Sequence, residues 1–179
     1  MAAVSQQGNL SRESTTMVDV AHPGERIPIA SDHAGFELKE RLRTVLSEMG
    51  YSVDDIGTHS TASTDYPDYA HPLSQQVSDG AAQRGVLLCG TGLGMSYVAN
   101  RYPGVRAAVS WSPEIAALAR KHNDANVLVL PARFVSDEDA IAILRTWLET
   151  PFEGGRHQGR VNKIEQTNEH GADAPGSGA

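Results

Sequence analysis

Short runs rich in aliphatic and β-branched residues alternate along the chain with longer stretches in which apolar residues recur every three or four positions. Ile27 to Ser31, Ser52 to Ile56, Gly85 to Cys89, Arg106 to Trp111 and Asn126 to Leu130 are the candidate strands. Leu38, Leu42, Val45, Leu46 and Met49 fall on one helical stripe, with Glu37, Lys39, Glu40 and Arg43 off it and Gly50 as a stop. Two further helices are announced by caps. Ser112 precedes Pro113 and Glu114, and Ser136 precedes Asp137, Glu138 and Asp139, each placing an acceptor and negative charge where free N–H groups need them. The second of these carries Ile141, Leu144, Trp147 and Leu148 inward, and Pro151 helps to end it before a Glu153-Gly154-Gly155 turn. Strands alternating with helices predict a parallel sheet covered on both faces, an α/β fold.

The patterned region is bounded by polar, small-residue ends without a sustained period, through Gly24 at the start and from Thr167 to Ala179 at the finish. We therefore expect residues 1–25 and 167–179 to be mobile tails around one domain at 26–166. With 179 residues and 40% hydrophobic content, the chain can fill a core without disulfides or metals. The net charge of -7 argues against nucleic acid or an anionic membrane as the main partner. A single cysteine, and the lack of a signal-peptide pattern or a long apolar stretch, lead to the expectation of a soluble, cytoplasmic protein.

Ligands of open parallel α/β sheets lie outside the carboxyl ends of the strands, so the residues after each strand bear most on chemistry. Ser31-Asp32-His33-Ala34-Gly35 brings a carboxylate and an imidazole to a helix start, a setting for proton movement or anion contact, and equally for an N-cap beside a solvated histidine. Cys89-Gly90-Thr91-Gly92-Leu93-Gly94 supplies glycines that let backbone amides converge on an oxyanion. A cysteine there would feel the positive end of the next helix and serve as base or nucleophile; an inert buried thiol is the plainer alternative. The glycine run lacks dinucleotide spacing, no ribose-binding acid follows the next strand, and there is no Gly-Lys-Ser/Thr.

Lys121-His122-Asn123-Asp124-Ala125-Asn126 offers an imidazole and an amide for sugar hydroxyls and a ring oxygen, or simply a loop that ends a helix. Arg133 follows the fifth strand, and Arg156 and Arg160 are four apart, so the three suit an anion clamp, although any one alone reads as a solvated surface arginine. His22, His59 and His170 fall in loops or tails, and Asp65, Asp68 and His71 lie around a turn into a helix, so no metal is expected.

Taken in order, Ser31-Asp32-His33-Ala34-Gly35-Phe36, Thr64-Asp65-Tyr66-Pro67, Cys89-Gly90-Thr91-Gly92-Leu93-Gly94, His122-Asn123-Asp124 and Glu153-Gly154-Gly155-Arg156-His157 resemble the type B ribose-5-phosphate isomerases across roughly Arg26 to Gln166. The resemblance implies a Rossmann-like three-layer α/β/α sandwich with a five-stranded parallel sheet. It implies a homodimer, in some members paired into a homotetramer, with each active site built from two subunits, and no cofactor. Cys89 would be the base that moves a proton between substrate carbons, and His122 the acid that helps to open the furanose ring, with Asn123 beside it, both reaching across from the adjacent subunit. Asp32 and His33 would contact the sugar, Gly90, Thr91, Gly92, Leu93 and Gly94 would cradle the enediolate, and Tyr66 would form a wall. Arg133, Arg156 and Arg160 match the phosphate-binding arginines. The residues suit an aldose–ketose exchange, which needs a base, oxyanion donors and a phosphate anchor. Six-carbon substrates such as allose or galactose 6-phosphate stay open, as does a non-catalytic sugar-phosphate sensor, which would keep the arginines without needing Cys89 or His122. A hydrolase with Cys89 as covalent nucleophile is a further alternative. Two departures from the family pattern are Pro28, expected to cost the first strand a ladder bond, and Leu130-Pro131-Ala132 before Arg133.

Overall fold

Successive residues of a strand project to opposite faces of its sheet, and a strand that is apolar on both faces must be covered on both. The computed structural model, which describes residues 20–165, has that architecture. Strands β1 (Arg26–Ser31), β2 (Ser52–Gly57), β3 (Gly85–Cys89), β4 (Ala107–Val109) and β5 (Val127–Pro131) form one parallel sheet in the order β2-β1-β3-β5-β4. The connections carry α1 (Phe36–Glu48), α2 (Pro67–Ser78), α3 (Leu93–Ala99), α4 (Pro113–Asn123) and α5 (Asp137–Glu149). A 3-10 turn at Gly155–His157 leads into the short α6 (Gln158–Val161).

Ile27, Ile29, Val86, Leu88, Leu128 and Leu130 face one way and join α1, α4 and α5 through Leu42, Leu46, Ala116, Leu144 and Trp147. The intervening Ala30, Leu87, Cys89, Val127 and Val129 face the other way and join Leu73 and Val77 of α2 and Met95 and Val98 of α3. Each fully buried aliphatic side chain contributes about 1.5–3 kcal/mol, so a one-residue slip in register would exchange two finished cores for two mismatched ones.

Ser112 and Ser136 cap their helices as the pattern predicts, accepting from the amides of Ile115 at 3.3 Å and Asp139 at 3.1 Å. Gly50, at φ +88°, takes the left-handed turn that ends α1. The length of β4 and the burial of Lys39 differ from the sequence reading. Strand β4 is shorter than Arg106–Trp111, because the Arg106 amide is diverted to Asn126 Oδ1 at 2.8 Å and Ser112 already belongs to the cap of α4. Pro28 lies within β1, whose ladder with β2 runs through it, and the ladder with β3 is regular only after it, from Ile29, as its missing N–H leads one to expect. Lys39, placed off the apolar stripe, is fully buried, since α1 packs against the end of β2 as well as on the sheet. Of the expected tails at 1–25 and 167–179, residues 1–19 and 167–179 lie outside the described residues, whereas 20–25 are held against the domain, Ala21 donating to the Leu148 carbonyl at 3.0 Å and Gly24 to the Gly50 carbonyl at 2.8 Å. No helix among the described residues is long and apolar enough to cross a membrane.

The topology also fixes where a ligand can enter. The chain leaves β1 for β2 on one side and returns to β3 on the other, so a crevice opens between the carboxyl ends of β1 and β3.

Candidate active site

In that crevice lies a cleft of about 240 Å³ lined by Asp32, His33, Ala34, Tyr66, Cys89, Gly90, Thr91, Gly94 and Arg133. Each side chain arrives by a local rule. Asp32 directly follows β1 and caps the turn at His33–Gly35, accepting from the amides of Ala34 at 2.9 Å and Gly35 at 3.2 Å. Gly35 allows this turn to sit against β3, since a Cβ there would lie 2.8 Å from Leu88 Cβ. His33 Nδ1 lies 3.2 Å from both the amide nitrogen and the carbonyl oxygen of Thr64, which pins the ring to the segment that follows β2.

Cys89 is the last residue of β3, and its sulfur accepts from the Gly92 amide at 3.2 Å. Gly92 turns the chain at φ +75° into α3. Within the loop Gly90, Thr91 and Gly94 line the cleft, whereas Leu93 exposes its side chain at the start of α3. Gly94 faces the Tyr66 ring so closely that a Cβ would come within 2.8 Å of it, so the tyrosine is seated on a glycine. Arg133 leans over Gly90 and donates its own amide to the Gly90 carbonyl at 3.1 Å. Pro131 and Ala132 deliver it there: Pro131 closes β5 opposite Cys89, and Ala132 donates to the Cys89 carbonyl at 2.9 Å.

Beneath the loop that carries Thr64 and Tyr66 runs an ion network. Lys39 Nζ lies 2.7 Å from both Glu40 and Asp55, and Arg43 reaches Asp55 at 2.9 Å. Burial by itself would raise the Asp55 carboxyl, but Lys39, the Gly57 amide and Arg43 outweigh it and hold it below the usual aspartate value. Asp55 Oδ1 accepts from Gly57 at 3.0 Å, and the next residue, Thr58, donates its amide to Ser31 at 2.7 Å. The loop is thereby tied to the strand end that presents Asp32.

The remaining predicted residues lie at the other end of the sheet. His122 and Asn123 end α4, just before β5 begins, whereas Cys89 pairs with the last residue of β5. The rise of that five-residue strand, about 13 Å, separates the two levels. His122 stacks on His157 with ring centroids 4.3 Å apart and planes 6° from parallel. Glu153 stands 3.9 Å from His122 and 3.8 Å from His157, and Arg156 Nε is 3.4 Å from His157 Nε2. Burial first, then His122, Arg156 and Arg160, push the His157 imidazole below the ordinary histidine value, against an opposing pull from Glu153. Arg156 and Arg160 thus belong with His122, and within one chain Arg133 does not join them. Glu153 and His157 belong to the Glu153-Gly154-Gly155-Arg156-His157 motif, and only the fold shows that a loop after α5 meets the end of α4, where the Glu153 amide donates to the Lys121 carbonyl.

The donor atoms of His122, Glu153 and His157 lie within 4.8 Å of one another, the spacing of a metal site. The ring geometry argues against one: imidazole lone pairs lie in the ring planes, and two stacked, parallel planes do not share an ion. Two neighbouring guanidiniums add repulsion to any cation. What this cluster suits is a proton donor beside an anion, and what the cleft suits is a thiol base beside backbone amides.

Residues 27–164 match the family described as ribose/galactose isomerase. Ribose-5-phosphate isomerase B of Escherichia coli is 45% identical over 140 residues, which cover 78% of this chain and 94% of that protein. The crystal structure of a ribose 5-phosphate isomerase from Thermotoga maritima is 53% identical, with a TM-score of 0.78 over 80% of this chain and 99% of that one. A Mycoplasma genitalium ribose-5-phosphate isomerase B, solved with bound ribulose-5-phosphate, is 43% identical with a TM-score of 0.77 over 80% and 96% of the two chains. The chain belongs to the ribose/galactose isomerase family.

Proposed function

We propose that this enzyme interconverts ribose 5-phosphate and ribulose 5-phosphate through an enediolate, with Cys89 as the base. The observation that carries the reading is the placement of the Cys89 sulfur at the switch-point cleft, on a glycine loop whose Gly92 amide already points at it. The thiolate takes the proton from C2 of the open-chain aldose, and the electron pair forms the C1–C2 double bond while the C1 oxygen becomes an oxyanion. Amides of the Gly90–Gly94 loop stabilise that charge. The O2 proton passes to O1, the thiol returns its proton to C1, and the ketose results with every proton accounted for. Asp32, His33 and Tyr66 hold the sugar, and Arg133, Arg156 and Arg160 hold the phosphate. His122 protonates the ring oxygen as the furanose opens, the C1 hydroxyl releasing a proton in return.

This chemistry needs both ends of the sheet in one place. A second copy, turned so that its His122 end meets the Cys89 cleft of the first, supplies them, and a two-fold axis then completes two sites at once. Exposed Leu93, Tyr97, Trp111 and Phe134, on α3 and after β4 and β5, are the apolar surface such a copy would cover. The same arrangement serves a six-carbon aldose phosphate, the second reading, since the matched family spans ribose and galactose isomerases.

The test is turnover of ribose 5-phosphate and of allose 6-phosphate by the purified protein, with Cys89→Ala alongside and solvent deuterium followed into C1. We expect ribose 5-phosphate to be converted with deuterium incorporation, and the variant to lose it. Turnover of allose 6-phosphate alone would transfer the mechanism to the longer sugar. Binding of both without turnover of either would make the protein a sensor.

A further inference from the structure

The residue after the His122-Asn123 pair is in a left-handed conformation that glycine adopts more readily than any residue with a Cβ. Asp124 has φ +49° and ψ +45°, the only left-handed residue other than glycine among the described residues, at a helix end where glycine or asparagine would be unstrained. Its side chain accounts for its presence. One carboxylate oxygen accepts from Arg120 at 2.8 Å and the other from Arg106 at 2.7 Å. Arg106 Nε then reaches the carbonyls of Asp124 at 2.8 Å and Asn123 at 3.1 Å, so the guanidinium grips the backbone immediately behind His122. Arg120, which is 1% exposed, extends the connection to the carbonyls of Ala125 at 2.9 Å and Thr150 at 3.2 Å. Thr150 begins the segment that carries Glu153 and His157, and the Glu153 amide returns to the Lys121 carbonyl at 3.1 Å.

We propose that Asp124, bracketed by Arg106 and Arg120, is a positioning residue that holds His122 and Asn123 in register with His157 for the isomerisation. Asp124 touches no reacting atom. It fixes the end of α4 by tying the two limbs of the histidine stack to one charge cluster, in which Arg120 is buried and Asp124 and Arg106 are partly buried. Glycine at this position would satisfy the backbone but take the shared carboxylate from both arginines, leaving them only their other contacts; asparagine would tolerate the backbone and keep one oxygen acceptor. A simple helix cap would be served as well by glycine as by aspartate, so the two roles predict different outcomes.

The inference rests on the reading that His122 acts in the site, and His122→Ala tests that reading separately. With His122→Ala inactive, Asp124→Gly is expected to lower kcat by about ten- to a hundredfold with little change in KM, because a displacement of about 1 Å at a reacting group has an effect of that size. Asp124→Asn should recover most of the loss. Imidazole NMR of the intact protein gives a readout independent of turnover: the ring-current shifts of the His122–His157 stack should collapse in Asp124→Gly and persist in Asp124→Asn. If Asp124→Gly fails to fold, Arg106→Gln, which leaves the Arg120 contact in place, carries the same expectations. Full kcat and an unmoved stack in Asp124→Gly, or in Arg106→Gln where that replaces it, would overturn the proposal. Full activity in His122→Ala together with a collapsed stack in Asp124→Gly would instead overturn the acid role of His122 and leave the bracket standing.

Discussion

At the carboxyl ends of the strands the site is shaped mainly by backbone, through the glycine loop after Cys89, the cap turn at Asp32 and the carbonyl-to-amide links from Ala132 and Arg133. At the amino ends it is shaped by long side chains, with two histidines stacked and flanked by Glu153, Arg156 and the Arg106–Asp124–Arg120 bracket. The difference follows from the work each end is suited to. Amides fixed by covalent geometry answer a transient negative charge without rearranging. A proton donor must ride on a side chain, whose rotors would otherwise wander, and so it needs bracing. Within the site, glycines line the carboxyl-end cleft and ion pairs brace the amino-end cluster. The exception is the Lys39–Asp55 network, which steadies the one long loop at the carboxyl end.

The contrast can be broken first at the sulfur. Cys89→Ala is expected to lower kcat by about a thousandfold, the scale of a lost general base, with ribose 5-phosphate affinity by calorimetry changed far less. The next largest effect is on stability. Asp55→Asn leaves Lys39 buried with a weakened partner set and is expected to cost about 3–5 kcal/mol in urea unfolding. A loss below about 1 kcal/mol would show that Glu40 alone satisfies the ammonium. Because folding lowers the Asp55 pKa, its contribution is present above the unfolded value near ~3.9 and is lost as pH falls through the lower folded value. Asp55→Asn should therefore also flatten the acid limb of the stability profile.

A finer probe is the backbone cradle itself. Gly94→Ala must push the Tyr66 ring aside and should raise KM by about tenfold, whereas Gly90→Ala meets the flexible Arg133 side chain at 3.3 Å and should raise it less. Equal effects would mean that Tyr66 is not a wall. The smallest expected change concerns His157. Its folded pKa is lowered, so stability is full above the unfolded value near ~6.5 and declines as pH drops through it towards the folded value. His157→Gln should remove that decline, seen as thermal midpoints that vary less with pH in this window.

The sheet, its helices and the residues at the strand ends were legible because each rests on a short-range signal: period-two burial, serine caps, and glycines where chain turns sharply. Lys39 was misread for the same reason, since a lysine counted only by its neighbours in sequence belongs to solvent, and its partner Asp55 arrives from another element. The division of the arginines was also hidden. Arg133 and Arg156 look like one clamp until the fold puts a strand's length of sheet between them. Asp124 carries a signal of its own, an aspartate where a helix ends and glycine would be easier; its two arginines are four residues before it and eighteen before it, and only the second lies beyond the reach of helical periodicity.

The separation of Cys89 from His122 along the sheet has a genetic consequence. If each site draws on both chains, Cys89→Ala and His122→Ala damage different halves of it, and a mixed pair of the two variants concentrates both lesions in one site and leaves the other whole. Two dead proteins, unfolded together and refolded as a mixture, should then regain about a quarter of the wild-type rate, the share expected when chains pair at random in a two-fold dimer.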